Sequence, residues 1–269
     1  MFLTLDIAIV TWKRDGIERV ASAGYPRIHG VRWLVSWQCS DGIDIPAPLA
    51  GRDDVTVVRC DSVGISNNRN HALSHATADV VLLADDDLTY TAENIENVRR
   101  TFAAHPELDI ATFRTERPQT GHYPSGECRL GRRLPKGYYV TSFEMAMRLP
   151  LAHSVRFSPM LGLGAPLMTC GEEEVVLHQA IRAGLDCRFF PLVIGRHDHP
   201  STGTQAQLPD KVVRARGCVT RILYPYTWPL RIPLYAWRLY RQDRCPLGRA
   251  IKRMAEGARR APAILSEYQ

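Results

Sequence analysis

No pair of cysteines stands in a CxxC arrangement. The seven present, Cys39, Cys60, Cys128, Cys170, Cys187, Cys218 and Cys245, are scattered without metal-ligand spacing. An odd, dispersed set suits reduced thiols in a cytosol and argues against a disulfide framework. No stretch of about 18 uninterrupted apolar residues occurs, so a membrane-spanning helix is not expected. No basic segment precedes Leu3-Thr4-Leu5, and Asp6 interrupts the short apolar run, so a secretory signal is not expected either. Internal repeats and low-complexity tracts are missing as well. What remains is an ordinary globular mix, 45% hydrophobic and 23% charged over 269 residues. That length accommodates one large α/β domain, with or without a short appendage.

Acidic residues are scarce in one region. Residues 211–260 hold thirteen Lys/Arg and only two acids, Asp243 and Glu256, a local excess of +11. With a net charge of +6 for the whole chain, the remainder carries −5. The basic character belongs to the tail, which argues against reading the whole protein as a nucleic-acid binder. Two domains are expected, a catalytic body over 1–210 and a basic, aromatic-rich C-terminal region over 211–269.

The body alternates strand and helix patterns. Leu5 to Trp12 is mostly apolar and β-branched, which predicts a buried first strand. A short helix follows, ending near Gly24. Val31–Trp37 and Val55–Val58 read as the next strands, and Asp79–Ala84 as a fourth that runs directly into Asp85-Asp86-Asp87. Between the third and fourth lies GISNNRNHAL, with Ser66 a candidate N-cap and Ile65 and Leu73 on a buried face. A helix over about 91–104 and a strand over 109–114 continue the alternation. This pattern predicts a mainly parallel, doubly wound, Rossmann-like α/β sheet, in which ligands sit beyond the carboxyl ends of the strands. The second half is less regular. Residues 117–137 read as loop, Tyr138–Met147 as a strand containing Glu144, Gly171 to about Ala183 as a helix, and Cys187–Ile194 as a strand.

Three adjacent carboxylates repel one another, and a bound divalent cation would remove that conflict. On extended backbone alternate side chains share a face, so Asp85 and Asp87 are expected together, with Asp86 opposite. Such a pair suits Mg²⁺ or Mn²⁺, hard ions that often complete their shell with substrate phosphate. The plain alternative is a solvated turn in which Asp86 or Asp87 caps the following helix. A second acidic cluster, Glu172-Glu173-Glu174, has two readings. It complements a helix dipole, and it also offers a general base. His197 and His199 alternate across Asp198, and either one supplies imidazole to a metal or hydrogen-bonds in a loop.

The order of these motifs resembles the family-2 glycosyltransferases of the GT-A fold. The resemblance runs over roughly 5–203, through GISNNRNHAL, LLADDDL, GLGAPLMTCGEEEVVL and HDHPSTG. It implies an inverting, metal-dependent transferase that uses a nucleotide sugar. By position it implies that Asp85 faces the ribose and Asp87 the metal-diphosphate. Ser66 and Arg69 would border the nucleotide, Thr11 the base, and Asp86 the same nucleotide-sugar site. Glu173 matches the catalytic base and Glu172 the acid before it, although Glu stands where the family carries Asp. Glu174 leaves that assignment open by one position. His197 matches a metal-side histidine, and Glu144 is a weaker candidate for facing the acceptor. The cofactor implied is Mn²⁺ or Mg²⁺, and the donor a UDP-, GDP- or dTDP-sugar. The acceptor would be saccharide or lipid-linked, as in bacterial polysaccharide or glycoconjugate assembly.

Rival readings fit less of the sequence. Asp85-Asp86-Asp87-Leu88-Thr89 also fits the DxDxT of haloacid-dehalogenase-type phosphatases, but three strands precede it and no GDxxxD follows. A nucleotidyltransferase would carry a Gly-rich, lysine-bearing loop after its first strand, which Thr11-Trp12-Lys13-Arg14-Asp15-Gly16 is not. A non-catalytic membrane-surface binding protein is the third alternative. Aromatics interleaved with arginines in the tail point to an anionic membrane interface, with a packed subdomain as the bland option and nucleic acid not expected. The expected location is the cytoplasm, with peripheral attachment at the inner face of the plasma membrane.

Overall fold

The computed structural model describes residues 2–117, 123–198 and 207–266. Two compact units make up the chain. The first comprises Met1–Val63, Asn67–Arg156 and Gln179–His199, and the second Gly64–Ser66, Phe157–His178 and Pro200–Gln269.

The first unit is built on a nine-stranded mixed sheet. Its strands are β1 (Leu5–Trp12), β2 (Val31–Gln38), β3 (Val55–Cys60), β4 (Val80–Asp85), β5 (Leu88–Thr89), β6 (Ile110–Glu116), β7 (Cys128–Arg129), β8 (Met145–Arg148) and β9 (Cys187–His197). The spatial order is β3-β2-β1-β4-β8-β6-β9-β5, with β7 paired to β9. The long ladders, β1 with β2, β1 with β4, β2 with β3 and β6 with β9, are parallel. The antiparallel ladders made by β8, β5 and β7 are only two or three residues long. The expected mainly parallel α/β sheet is therefore present. Strands buried on both faces need continuous apolar runs. Every residue of β1 except Trp12 is buried, as are the first five of β4.

Helices α1 (Lys13–Ser22), α2 (Ala47–Ala50), α3 (Ile65–Ser74), α4 (Ala92–Ala104) and α5 (Leu151–Ser154) connect the strands. Thr91 caps α4, accepting from the Asn94 amide while Asn94 reaches back to the Thr91 N–H. This reciprocal box satisfies two orphan donors. One core joins Leu5, Ile7, Trp33, Leu82, Phe102 and Phe113. The sequence reading errs at Tyr138–Met147. Ser142–Glu144 is a turn of 3₁₀ helix, and only Met145–Arg148 pairs as strand, between β4 and β6.

The second unit contains the start of α6 (Glu172–Arg182) and three C-terminal helices, α7 (Asp210–Leu223), α8 (Trp228–Arg241) and α9 (Leu247–Leu265). α7 and α9 cross with backbones in contact, because a Cβ on Gly217 would lie 2.0 Å from the Met254 carbonyl oxygen and one on Gly257 1.8 Å from that of Arg214. Only glycine permits this approach. Val213, Ile232, Ala236, Leu239 and Met254 form the apolar centre of the three helices. All seven cysteines are free thiols.

Candidate active site

Strand β4 ends at Asp85, and Asp86 and Asp87 form a turn before β5. The extended backbone expected through all three aspartates is thus absent, yet their side chains still separate. Asp85 Oδ1 accepts from Arg69 Nη2 at 3.3 Å, and that guanidinium is almost completely buried. Asp86 turns toward the β1–α1 junction. Its Oδ2 accepts from Thr11 Oγ1 at 2.6 Å, and its Oδ1 from Arg19 Nη2 at 2.9 Å. Asp87 Oδ2 lies 3.2 Å from His197 Nε2.

Local folding explains each placement. Val10 of β1 pairs with Asp85 in the parallel ladder, so Thr11 emerges beside the end of β4. Gly16 keeps α1 close to that point, since a Cβ there would sit 2.2 Å from Thr11 Oγ1 and 2.8 Å from Asp86 Oδ2. Arg69 lies on α3 one residue after Asn68, whose side-chain amide donates to the Thr11 carbonyl at 3.0 Å. His197 arrives through the pairing of β9 with β5, where it lies opposite Leu88. Its ring stacks on Phe143, centroids 5.1 Å apart and planes within 1°.

The electrostatics follow from crowding. Burial pushes the Asp85 carboxyl up, Arg69 opposes it, and Asp87 adds to the rise. Burial likewise raises Asp86, against the hydrogen bonds from Thr11 and Arg19. His197 is raised chiefly by its hydrogen bond to Asp87. Three neighbouring carboxylates are thus held by cations or donors arriving from four other elements, β1, α1, α3 and β9.

Glu144 is fully buried. Its Oε1 accepts from the Thr115 amide at 3.0 Å and from Thr115 Oγ1 at 2.7 Å, and it is also bonded by Arg117 and Tyr123. The Arg117 guanidinium stands over the Phe143 ring as well, at 5.5 Å. In this position the carboxylate ties a strand end to the stack that carries His197. His199 lies outside the described residues.

In the second unit Ser66 is not an N-cap, because α3 begins one residue earlier. Its hydroxyl donates to the Leu161 carbonyl at 2.6 Å. Glu172, Glu173 and Glu174 form the first turn of α6, where the helix dipole favours all three. Glu172 is buried against Gly162, at which a Cβ would come within 3.1 Å of its carboxylate. Glu173 and Glu174 are half-buried. Burial raises the Glu174 carboxyl from an ordinary 4.5 to about 7, with Arg216 pulling the other way.

With this geometry in view, comparison with known proteins becomes informative. Residues 45–159 match the family model described as glycosyl transferase family 2. The resemblance to that family holds. In the solved structure of S. aureus TarS residues 1–349, the match covers 99% of this chain and 92% of that one at 13% identity and a TM-score of 0.57. The same TarS segment in complex with UDP-GlcNAc matches at 12% identity and a TM-score of 0.58, covering 99% and 93%. At such identity the likeness establishes the GT-A fold and nothing finer. None of the curated proteins matches the chain in sequence.

Arg19, Gly16, Asn68, Phe143 and Arg117 were not singled out from the sequence. Arg19 and Gly16 had a readable signal, since the first turns of a helix that follows β1 must pass the end of the sheet. The others depend on contacts distant in the chain and had none.

Proposed function

We propose that the protein is an inverting glycosyltransferase that moves a sugar from a nucleotide-diphosphate sugar to an acceptor hydroxyl. The observation that carries this is the division of Asp85, Asp86 and Asp87 among Arg69, Thr11 with Arg19, and His197 at the carboxyl end of β4. The fold shared with TarS, solved with UDP and with UDP-GlcNAc, supports a nucleotide-sugar donor.

The donor set at Asp87 and His197 fits a hard divalent ion. Their facing atoms are 3.2 Å apart. Two ligands at about 2.1 Å on adjacent octahedral vertices stand about 3 Å apart. Among the described residues no three His, Cys, Asp or Glu side chains gather as a ready cage. A magnesium-type site needs only one or two protein ligands when substrate phosphates take the remaining positions. Asp87 and His197 would hold the ion, Mn²⁺ or Mg²⁺, and when bound it would neutralise charge on the departing diphosphate as a Lewis acid.

The remaining work falls to the chain. Asp85 would accept from the ribose hydroxyls, its carboxylate steadied by Arg69. Thr11 and Arg19 hold Asp86 away from Asp87, so the two carboxylates do not compete for one partner. Ser66 and Arg69 would border the nucleotide. Glu173 would take the proton from the acceptor hydroxyl as that oxygen bonds to the anomeric carbon and the C–O bond to the diphosphate breaks. A single displacement inverts the anomeric configuration. Glu172, buried against Gly162, would fix the turn on which Glu173 stands. The acceptor proposed is a saccharide or a lipid-linked saccharide in polysaccharide or glycoconjugate assembly.

A panel of UDP-, GDP- and dTDP-sugars, assayed with Mn²⁺ and Mg²⁺ for binding, hydrolysis and transfer, tests the reading. Asp87→Ala is expected to abolish transfer and metal-dependent nucleotide binding. Glu173→Gln is expected to abolish transfer and retain binding. Near-normal turnover in Glu173→Gln would refute the base assignment. Hydrolysis of a simple phosphomonoester with no response to any nucleotide sugar would refute the transferase reading.

A further inference from the structure

Helix α8 is apolar on two opposite faces. Ile232, Ala236 and Leu239 are buried among Val212, Val213 and Met254. On the other side Leu230 is 79% exposed, Leu234 44%, Trp237 49% and Tyr240 54%. At about 100° per residue, Leu230, Leu234 and Trp237 fall within an arc of about 60°, and Tyr240 lies about 60° beyond it. Tyr226, 95% exposed, lies just before the helix. This second stripe is superfluous for the packing of the unit, whose apolar centre already has its share of α8.

The charge beside the stripe is uncompensated. No acidic residue occurs between Lys211 and Gln242. On α7 and α9 three of the arginines pair with carboxylates: Arg249 and Arg253 with Asp210, Arg214 and Arg253 with Glu256. On α8, among the described residues, Arg231, Arg238 and Arg241 have no ion-paired carboxylate. They stand over rings instead, Arg231 over Tyr224, Arg238 over Tyr235 and Arg241 over Trp237. Arg231 and Arg238 line one edge of the exposed stripe, and Arg241 ends it.

We infer that α8 is an in-plane membrane helix that lies in the headgroup region of an anionic bilayer. Leu230, Leu234 and Trp237 enter the acyl boundary, and Arg238 and Arg241 meet lipid phosphates. Amphipathic helices with aromatic residues on one face and unpaired cations on the other bind this interface through buried apolar area plus attraction to anionic lipid. A second copy of the chain is the poorer occupant, because it would set the same unpaired arginines against each other. No helix among the described residues is long and apolar enough to cross a membrane. The inference does not rest on glycosyl transfer, and its test uses neither donor nor acceptor, so each can fail without the other.

The experiment is co-sedimentation of the full chain with phosphatidylcholine vesicles, with and without one third phosphatidylglycerol. At low salt the chain is expected to partition at least tenfold more strongly onto the anionic vesicles, and high salt is expected to reverse most of that gain. Leu230→Ser/Trp237→Ser and, separately, Arg238→Gln/Arg241→Gln are each expected to lower partition at least tenfold. Both should leave the thermal midpoint unchanged, since these side chains are solvent-exposed. Absence of binding by the unaltered chain would overturn the inference, as would unchanged binding by the serine variant. A dimer in sedimentation that dissociates in the serine variant, without vesicle binding, would assign the stripe to a second copy instead.

Discussion

Replacing Glu174 with Gln is expected to flatten the dependence of folding stability on pH. In the unfolded chain this carboxyl ionises near its ordinary 4.5, whereas burial holds it to about 7 in the folded protein. Between those values the folded state binds more protons than the unfolded state, so stability falls as pH rises and the loss is complete above about 7. Moving from 4.5 to about 7 corresponds to about 3.4 kcal/mol at about 1.36 kcal/mol per pH unit. Of that, about 2.5 kcal/mol lies between pH 5 and pH 8, because the wild-type carboxyl is already partly ionised in the unfolded state at pH 5. Glutamine has the same shape and no charge to desolvate. All other titrating groups are common to both proteins and cancel in the difference.

Urea unfolding of both proteins at pH 5, 6, 7 and 8 reads this directly. The stability of Glu174→Gln relative to wild type should rise by about 2.5 kcal/mol across the series. Parallel curves would refute the reasoning. So would a wild type that gains on the variant as pH rises, because attraction to Arg216 would then outweigh burial. The same measurement bears on chemistry. A carboxyl that titrates near 7 is well matched to general-base work, so a flat result would leave Glu173 as the proposed base without a rival on the same turn.

Four further outcomes rest on particular positions. Arg117→Ala leaves the fully buried Glu144 without its cation and should cost about 3–5 kcal/mol in urea unfolding; adding Glu144→Gln should recover part of that loss. Gly257→Ala places a Cβ 1.8 Å from the Arg214 carbonyl oxygen, so α7 and α9 must separate, at about 2 kcal/mol or more by thermal unfolding. Gly248→Ala, with nothing within 4 Å, should be neutral or stabilise the same helix by up to about 1 kcal/mol. Thr11→Val deletes the 2.6 Å hydrogen bond to Asp86 and should weaken nucleotide binding about fivefold, equivalent to about 1 kcal/mol; calorimetric titration giving an unchanged Kd would separate Asp86 from the nucleotide site.

The first four strands were legible because a doubly covered parallel strand must be apolar throughout. Leu5–Trp12 was bounded to the residue, and β2 to β4 within one or two. β9 runs three residues past its apolar segment because Arg196 and His197 pair with β5, a partner about a hundred residues away. Tyr138–Met147 misled for the reverse reason. Its β-rich composition reflects burial, and the turn at Ser142–Glu144 is imposed by what Glu144 must bond, namely Thr115 and Arg117.

The aspartates make the sharper case. Alternation along a strand put Asp86 opposite Asp85 and Asp87. The strand in fact stops at Asp85, and partners set the division: Arg69 holds Asp85, Thr11 and Arg19 draw Asp86 toward β1, and His197 takes Asp87. Asp86 does turn to partners of its own, but Asp85 and Asp87 go to separate partners as well, so the expected pair gives way to a three-way division. The glutamates had no such internal constraint. Glu172, Glu173 and Glu174 share one helical turn and one dipole, so sequence treats them alike. Only burial distinguishes them, with Glu172 packed against Gly162 and Glu174 held protonated to about 7. Gly162 beside Glu172 and Arg216 near Glu174 lie outside the helical turn, where no local pattern reports them.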